Sequence, residues 1–600
     1  MRILRDICVA SAFERPDVRL ALESIRAGAF PLLHLGHDAE AAAAALDELT
    51  AQTPEPFGVV IPYDFDPTAL AGLPDQVDRA FVPSGWTGPL GAACRVDVVY
   101  SFAEATAAID GGASALALKG CEGCGRVGEE STFVMFLALR DRCAELGVDL
   151  YIYGGAGVHT GAAYFALGAR GIVLDSQICL MPECTAPRGM KDRLAMLSGT
   201  ETRLVDSYRF LHWPAGPHVS PEGSQADILP LVGDLDLERN ILPLGQDFAL
   251  ASEYLRSYGR LNYLVFAIQE AAYGHLRQAK AQPPLRAGSA LAVKLGTTYP
   301  IVQGPMARVS DTPAFLAKVA EAGALPCLAV GVTGPEATGQ LLADTAVAMT
   351  DRPWAAGLLG FIEPTRFQEQ CRRVLEMERP PAAVIIAGGR PAQSRRFEAS
   401  GVTAFLHVPS SNLLDMYLAE GVRSFIFEGR ESGGHVGPTS STVLWERQLQ
   451  HLLAFEDVAN VSVLFAGGIF DTVSAAFVAV MAASLAARGA KVGVQLGTAY
   501  LLTEEAVSSG AVTSLYQKLA VEADTTVLLE STKGQETRAL PTPFVDHFRA
   551  ERQRMTEMGA DETVKRAILE ELNLGRARVA SKGIDRPGRH NDVELTTAGA

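Results

Sequence analysis

Short apolar runs recur along the chain at intervals long enough to hold a helix. In the first half they include ICVASAF, FPLLHLG, FGVVIPYD and DRAFVPSG; in the second, YPIVQGP, LPCLAVG, WAAGLLGF, AAVIIAGG and VTAFLHV. Runs that are apolar throughout, instead of alternating, predict parallel strands covered on both faces. About seven or eight such runs per half predict a closed (β/α)8 barrel in each. A doubly wound open sheet is the alternative, because periodicity carries no information about closure.

The two halves also repeat one another. At one constant offset between ALALKGCEGCGRVGEESTFV and SFIFEGRESGGHVGPTSSTV, Gly120 falls on Gly429, Glu122 on Glu431, Gly125 on Gly434, Gly128 on Gly437 and Ser131 on Ser440. Each copy follows a helix-like segment closing near a glycine, FAEATAAIDGGAS or SSNLLDMYLAEGVRS, and a short apolar run. Downstream, YIYGGAG resembles VLFAGGI, and GARGIVLDSQICLMPE resembles GAKVGVQLGTAYLLTEE. Matching elements in the same order predict tandem barrels, the first a diverged copy of the second. The expected division is a diverged barrel over 1–235, a helical linker over 236–285, a second barrel over 286–570, and a tail or interdomain linker over 571–600.

Composition narrows the function. A net charge of −17 disfavours broad attraction to nucleic acid. The apolar stretch TVSAAFVAVMAASLAA is alanine-rich and shorter than a bilayer span, so a helix of an α/β fold is expected and no membrane insertion. Nine cysteines in 600 residues make no secreted disulfide framework, and MRILRDICVA is no signal peptide, so a cytoplasmic compartment is expected. Homodimerisation is a common state for such chains, and tandem barrels also allow an intrachain pseudo-dimer.

Candidate chemistry gathers in the second half, in segments that follow strands and would lie on the active face of a barrel. In FEGRESGGHVG, Gly433 and Gly434 permit backbone angles that side chains block, and His435 carries a ring whose protonation is tunable near neutral pH. A turn histidine with incidental exposure is the competing reading. Gly467 and Gly468 in FAGGIFD, and Gly497 and Thr498 in VQLGTAYL, offer backbone N–H groups and a hydroxyl to a phosphate in the late loops where barrels often hold one. A glycine pair alone marks any tight turn. In YPIVQGPMARVSD, Gln303 offers an amide, Gly304 backbone access and Met306 a soft apolar surface, which suit a flat ring; a core methionine beside a proline turn is the plainer reading.

Taken together, PIVQGPMARVS, IIAGG, EGRESGGHVG, FAGGI and VQLGTAYLLTEE resemble the FMN-dependent nitronate monooxygenase (2-nitropropane dioxygenase) family and its enoyl-ACP reductase relatives. EGRESGGHVG is especially similar to the reductase branch. The resemblance implies a TIM barrel with noncovalent FMN: Gly467, Gly468, Gly497 and Thr498 at the phosphate, Gln303 and Met306 by the ring, and Gly434 and Gln495 as further cofactor contacts. It implies His435 as the catalytic residue facing the substrate, and no metal. NADH or NADPH is the expected transient electron donor, since no separate GxGxxG domain with an acidic partner is visible. The PLGQD segment and the TTYPIVQGPM entry also resemble the amino-terminal portion of polyketide or polyunsaturated-fatty-acid synthases, which implies an acyl carrier protein or larger synthase as partner. The expected activity is reduction of an α,β-unsaturated acyl thioester, with nitronate oxidation and a noncatalytic docking module as alternatives.

The first copy departs from this pattern. Arg126 stands where His435 does and is a poor proton shuttle; Asp175 stands near the position of Gly497 and repels phosphate; Gly154 and Gly155 keep the other loop. A structural or docking role is therefore expected. Cys121, Cys124, Cys179 and Cys184 have atypical spacing for a zinc site and read as buried thiols, and His159 as structural.

Overall fold

The computed structural model describes residues 6–69, 72–221, 223–532 and 534–583. It divides into two compact units. One comprises residues up to Ala281 together with Trp445–Gln450 and Ala476–Met481; the other comprises the remainder from Gln282.

In the first unit eight parallel strands close a barrel: β1 Asp6–Ala10, β2 Phe30–His34, β3 Phe57–Val60, β4 Val77–Pro83, β5 Cys94–Val99, β6 Ala115–Leu118, β7 Asp149–Ile152 and β8 Gly171–Leu174. Closure comes from β1 pairing with β8, with Asp6 opposite Gly171 and Cys8 opposite Val173. The interior is filled by Cys8, Leu32, Phe81, Val96, Ala117, Tyr151 and Val173, a packed core with no central pore. The segment after the barrel turns back as helices Ala251–Tyr258 and Leu261–Ala281, which belong to this unit.

The second unit repeats the plan with β9 Ile301–Gln303, β10 Cys327–Ala329, β11 Ala355–Leu359, β12 Ala383–Ala387, β13 Thr403–His407, β14 Ser424–Glu428, β15 Ser462–Ala466 and β16 Lys491–Leu496. These run as one parallel sheet from β10 through β16 to β9. A bridge between Val302 and Leu325 brings β9 back beside the start of β10, so the sheet nearly closes. The open doubly wound alternative is thereby set aside, and the tandem-barrel expectation holds.

Both barrels carry the same lid device. The two-residue strand Gly125–Arg126 pairs antiparallel with Tyr208–Leu211, and His435–Val436 pairs antiparallel with Gln535–Ala539. A helix Glu562–Lys582 follows the second lid, so the boundary drawn at 570 falls inside a helix; residues 584–600 lie outside the described residues. The alanine-rich stretch forms helices Thr472–Met481 and Ala483–Ala487, and among the described residues no helix is long and apolar enough to cross a membrane.

At the first mouth the loop after β1 places Phe13 and Glu14 at positive φ, 64° and 50°. Side chains rarely adopt this conformation, and surrounding contacts must hold it. The Glu14 carboxylate accepts from Tyr208 OH at 2.7 Å, meets His37 Nε2 at 3.3 Å and lies 3.6 Å from Lys119 Nζ. His37 Nδ1 in turn lies 2.9 Å from Asp64. Burial alone would raise the Glu14 carboxyl; the His37 hydrogen bond and Lys119 charge outweigh it and hold the group at about 2.

A carboxylate held low stabilises the fold above its ordinary value near 4.5, and that contribution is lost as pH falls towards about 2. Glu14→Gln is therefore expected to lower the melting temperature at pH 7, by the equivalent of about 3–5 kcal/mol for a broken buried pair. It should also flatten the acid fall in stability across that window, read as melting temperature against pH beside the unsubstituted chain.

Candidate active site

Along the inner face of each second-barrel strand, every other residue points to the axis. Ile385, Phe405, Ile426 and Leu464 form the core layer, so the next inward positions are Ala387, His407, Glu428 and Ala466. Gly493 abuts Leu464 from β16, which puts Gln495 in the same upper layer. The core therefore ends at the C-terminal mouth in a floor of small and polar side chains, and alanines there leave room above them.

His407 and Glu428 are joined across neighbouring strands, Nδ1 to Oε2 at 2.8 Å. His407 Nε2 is enclosed and has no protein partner. On β9 Gln303 is fully buried; its Oε1 accepts from the Cys327 N–H at 3.3 Å while its Nε2 has no partner. The buried Gln495 Oε1 and Ser432 Oγ are likewise unpartnered. Enclosed polar atoms are costly when unmet, so several around one mouth mark the seat of a polar ligand.

The glycine-rich loop after β14 is held from both sides. Glu431 accepts from the Ser441 N–H at 2.7 Å and its hydroxyl at 2.5 Å, at the start of the helix Ser441–Ala454. Arg538, on the lid strand, donates to the carbonyls of Arg430 at 2.6 Å and Ser432 at 2.9 Å, and its backbone N–H donates to Gly434 O at 2.8 Å. Gly434 adopts φ 74° with open space where a Cβ would stand. His435 itself is turned outward, its side chain 67% exposed, with Nε2 3.6 Å from Glu570. That contact, more than the opposing burial, holds the Glu570 carboxyl below its ordinary value.

The predicted phosphate loops converge. A Cβ on Gly433 would lie 2.7 Å from Thr498 Oγ1, and one on Gly467 would strike Ser441 Oγ and lie 3.1 Å from Ser432 Oγ. Gly497 faces Met306 Sδ at 3.8 Å on the same construction, and Gly304 faces Gln495 Nε2 at 3.3 Å. Gly467 and Gly468 both take positive φ, 112° and 73°. Gln303, Met306, Gly467, Gly468, Gln495, Gly497 and Thr498 thus border one mouth, with His435 at its open edge and away from the floor. Turns at Gly433 and Gly467 that are too close to their neighbours for side chains, with unmet amide and hydroxyl groups in the same barrel end, fit a phosphorylated ring cofactor. His407 and Glu428 were not singled out from sequence; a histidine ending an otherwise apolar run was the available signal.

In the first barrel Gly154 and Gly155 adopt the same kind of turn, φ 139° and 65°. There the Gly155 N–H donates to Asp247 Oδ2 at 3.2 Å, from the PLGQD segment. Asp247 is fully buried, and burial with the neighbouring Asp175 pushes its carboxyl well above the usual range. Asp175 accepts from Cys124 Sγ at 3.0 Å. Arg126 lies over Tyr63 and Tyr100 and pairs with Glu104 at 3.1 Å. The groups that replaced the second copy's site are engaged with their own unit. Cys121, Cys124, Cys179 and Cys184 are all buried, and burial pushes the Cys184 thiol up to about 12. His159 is buried against His275, Nδ1 to Nε2 at 2.8 Å.

Residues 289–580 match the family model described as nitronate monooxygenase. A Rhodococcus jostii protein named (3aS,4S,5R,7aS)-5-hydroxy-7a-methyl-1-oxo-octahydro-1H-indene-4-carboxyl-CoA dehydrogenase is 28% identical over 263 residues, 43% of this chain and 67% of that protein. A nitronate monooxygenase of Paraburkholderia phytofirmans is 28% identical over 296 residues, 42% of this chain and 77% of that protein. Among solved structures, FabK from Thermotoga maritima is 27% identical with a TM-score of 0.40, covering 50% of this chain and 85% of that one. The match to the nitronate monooxygenase family agrees with the resemblance carried by the loop motifs.

Gly433→Val drives a branched side chain against Thr498, so the purified variant is expected to lose flavin absorbance near the visible maximum while far-ultraviolet circular dichroism is unchanged. Asp247→Ala, in the first barrel, should leave flavin content per chain as it was.

Proposed function

We propose that the domain at residues 289–580, which matches the nitronate monooxygenase family model, is a flavin-dependent enoyl reductase. Its substrate is an α,β-unsaturated acyl thioester presented by an acyl carrier protein, within or beside a larger synthase. The observation that carries the reading is the approach of the Gly433, Gly467 and Gly497–Thr498 turns to one another through Ser432 and Met306, in a barrel whose strand ends leave Gln303, His407 and Gln495 atoms unmet. The thioester class is supported by the EGRESGGHVG loop and by the carboxyl-CoA substrate named for the Rhodococcus relative.

Gly467, Gly468, Gly497 and Thr498 would hold the phosphate of FMN, and Gln303, Met306, Gln495 and His407 its ring. Bound flavin, reduced by NADH or NADPH, supplies the hydride that saturates the β-carbon. The chain must then deliver one proton to the α-carbon and stabilise negative charge on the thioester oxygen. His435 stands on the open side of the mouth, where a thioester enters, and Glu570 orients its Nε2 side. It carries the proton. His407, fixed through Nδ1 by Glu428, keeps one defined face towards the axis.

Nitronate oxidation is the second reading, favoured by the family description and the Paraburkholderia relative. Anaerobic reduction of the bound flavin, followed by separate mixing with a crotonyl thioester and with a nitronate, separates them. Rapid reoxidation by the thioester is expected, and His435→Gln should slow it by about 100-fold or more without changing flavin content. Reoxidation by nitronate alone would replace the enoyl reading.

A further inference from the structure

The helix Glu562–Lys582 packs on the lid hairpin and the helix before it, and touches two loops at the C-terminal ends of second-barrel strands. Glu570 reaches His435 on the loop after β14. At the far end Lys582 Nζ meets Asp311 at 2.9 Å and Thr312 Oγ1 at 3.2 Å in the loop after β9, and donates to the carbonyls of Gly510 at 3.1 Å and Ala511 at 2.9 Å. The stretch between these anchors is about 18 Å long at helical rise.

Between the anchors, Glu570, Asn573 and Arg576 recur at every third position and share one face. Glu570 is satisfied by His435 and by Ser531 Oγ at 2.5 Å. Asn573 is 7% exposed, yet neither its amide oxygen nor its nitrogen has a partner. Arg576 forms no ion pair among the described residues; its Nε is enclosed and unpartnered, and its guanidinium lies 5.6 Å from the Phe544 ring centre. Its other neighbour is Tyr516, which packs with Met306 and Tyr500 beside the mouth. An enclosed amide and an unpaired guanidinium both cost free energy unless a ligand completes them.

The order of groups defines the ligand. Outward from His435 come an amide and then an aromatic-flanked guanidinium, the fork that best matches a phosphate. A phosphopantetheine arm presents its groups in the same order: a reacting thioester, then amides, then a phosphate. We propose that Asn573 and Arg576 form the binding track for the phosphopantetheine arm of the acyl thioester, Asn573 meeting an amide of the arm and Arg576 its phosphate. The proposal rests on the enoyl reductase reading and adds to it how the carrier-borne substrate is recognised.

The test compares crotonyl-phosphopantetheine with crotonyl-N-acetylcysteamine, which lacks the phosphate and most of the arm. The unsubstituted chain should prefer the former in kcat/KM, and Arg576→Gln should shrink that preference about 10- to 100-fold, the range for a hydrogen bond to a charged group. Arg576→Lys should restore part of it, and Asn573→Leu should also lower it. An unchanged preference in Arg576→Gln overturns the track, as does a raised KM for NADH or NADPH with the preference intact. If flavin binds but neither thioester is reduced, the enoyl reading fails. Calorimetry with 4′-phosphopantetheine then decides the track alone: no binding by the unsubstituted chain, or equal binding by Arg576→Gln, ends it.

Discussion

The geometry of the second mouth depends on one side chain holding backbone in place. Arg538 reaches from the lid strand to the carbonyls of Arg430 and Ser432, while its own amide takes Gly434. A loop with so many glycines has the most conformational entropy to lose on ordering. Carbonyl acceptors bound by a charged fork offset that loss, and only then can Gly433 stand against Thr498 and Ser432 beside Gly467. The glycines make the close approach sterically allowed; the arginine makes it persistent.

The two barrels show what changes when one plan serves two purposes. Both place a two-residue strand after the sixth barrel strand and pair it with a returning lid strand. In the second barrel the enclosed groups beneath that lid remain unmet. In the first, Glu14 meets His37, Lys119 and Tyr208, Asp175 meets Cys124, and Asp247 meets the amide of Gly155 through one carboxyl oxygen while the other stays unmet. The contacts around the mouth differ between the copies, while the strand order is the same.

The barrels and their repeat were legible in the sequence because strands buried on both faces read as unbroken apolar runs, and the close-approach glycines stand in register in both copies. What was not legible depends on non-local pairing. His407 reads as the polar end of a strand; its meaning arises from the parallel register that sets it beside Glu428. Asp247 lies in PLGQD, whose contact with Gly155 exists only once the chain folds back. Residues from 571 onward read as a tail or linker, whereas the chain stays helical to Lys582 and buries Asn573.

The carboxyl of Asp247 on the Gly155 amide has a consequence for how the chain survives in a cell. A protein that binds a ligand only when folded gains stability in proportion to the logarithm of free ligand over its dissociation constant. The second unit would follow that dependence once a ligand meets its unpartnered groups. The first fills its corresponding turn with a carboxyl of its own covalent chain, held by burial above the usual range, and no outside supply changes its local concentration. Loss of a ligand from the second mouth would thus loosen that unit and leave the first as firm as before.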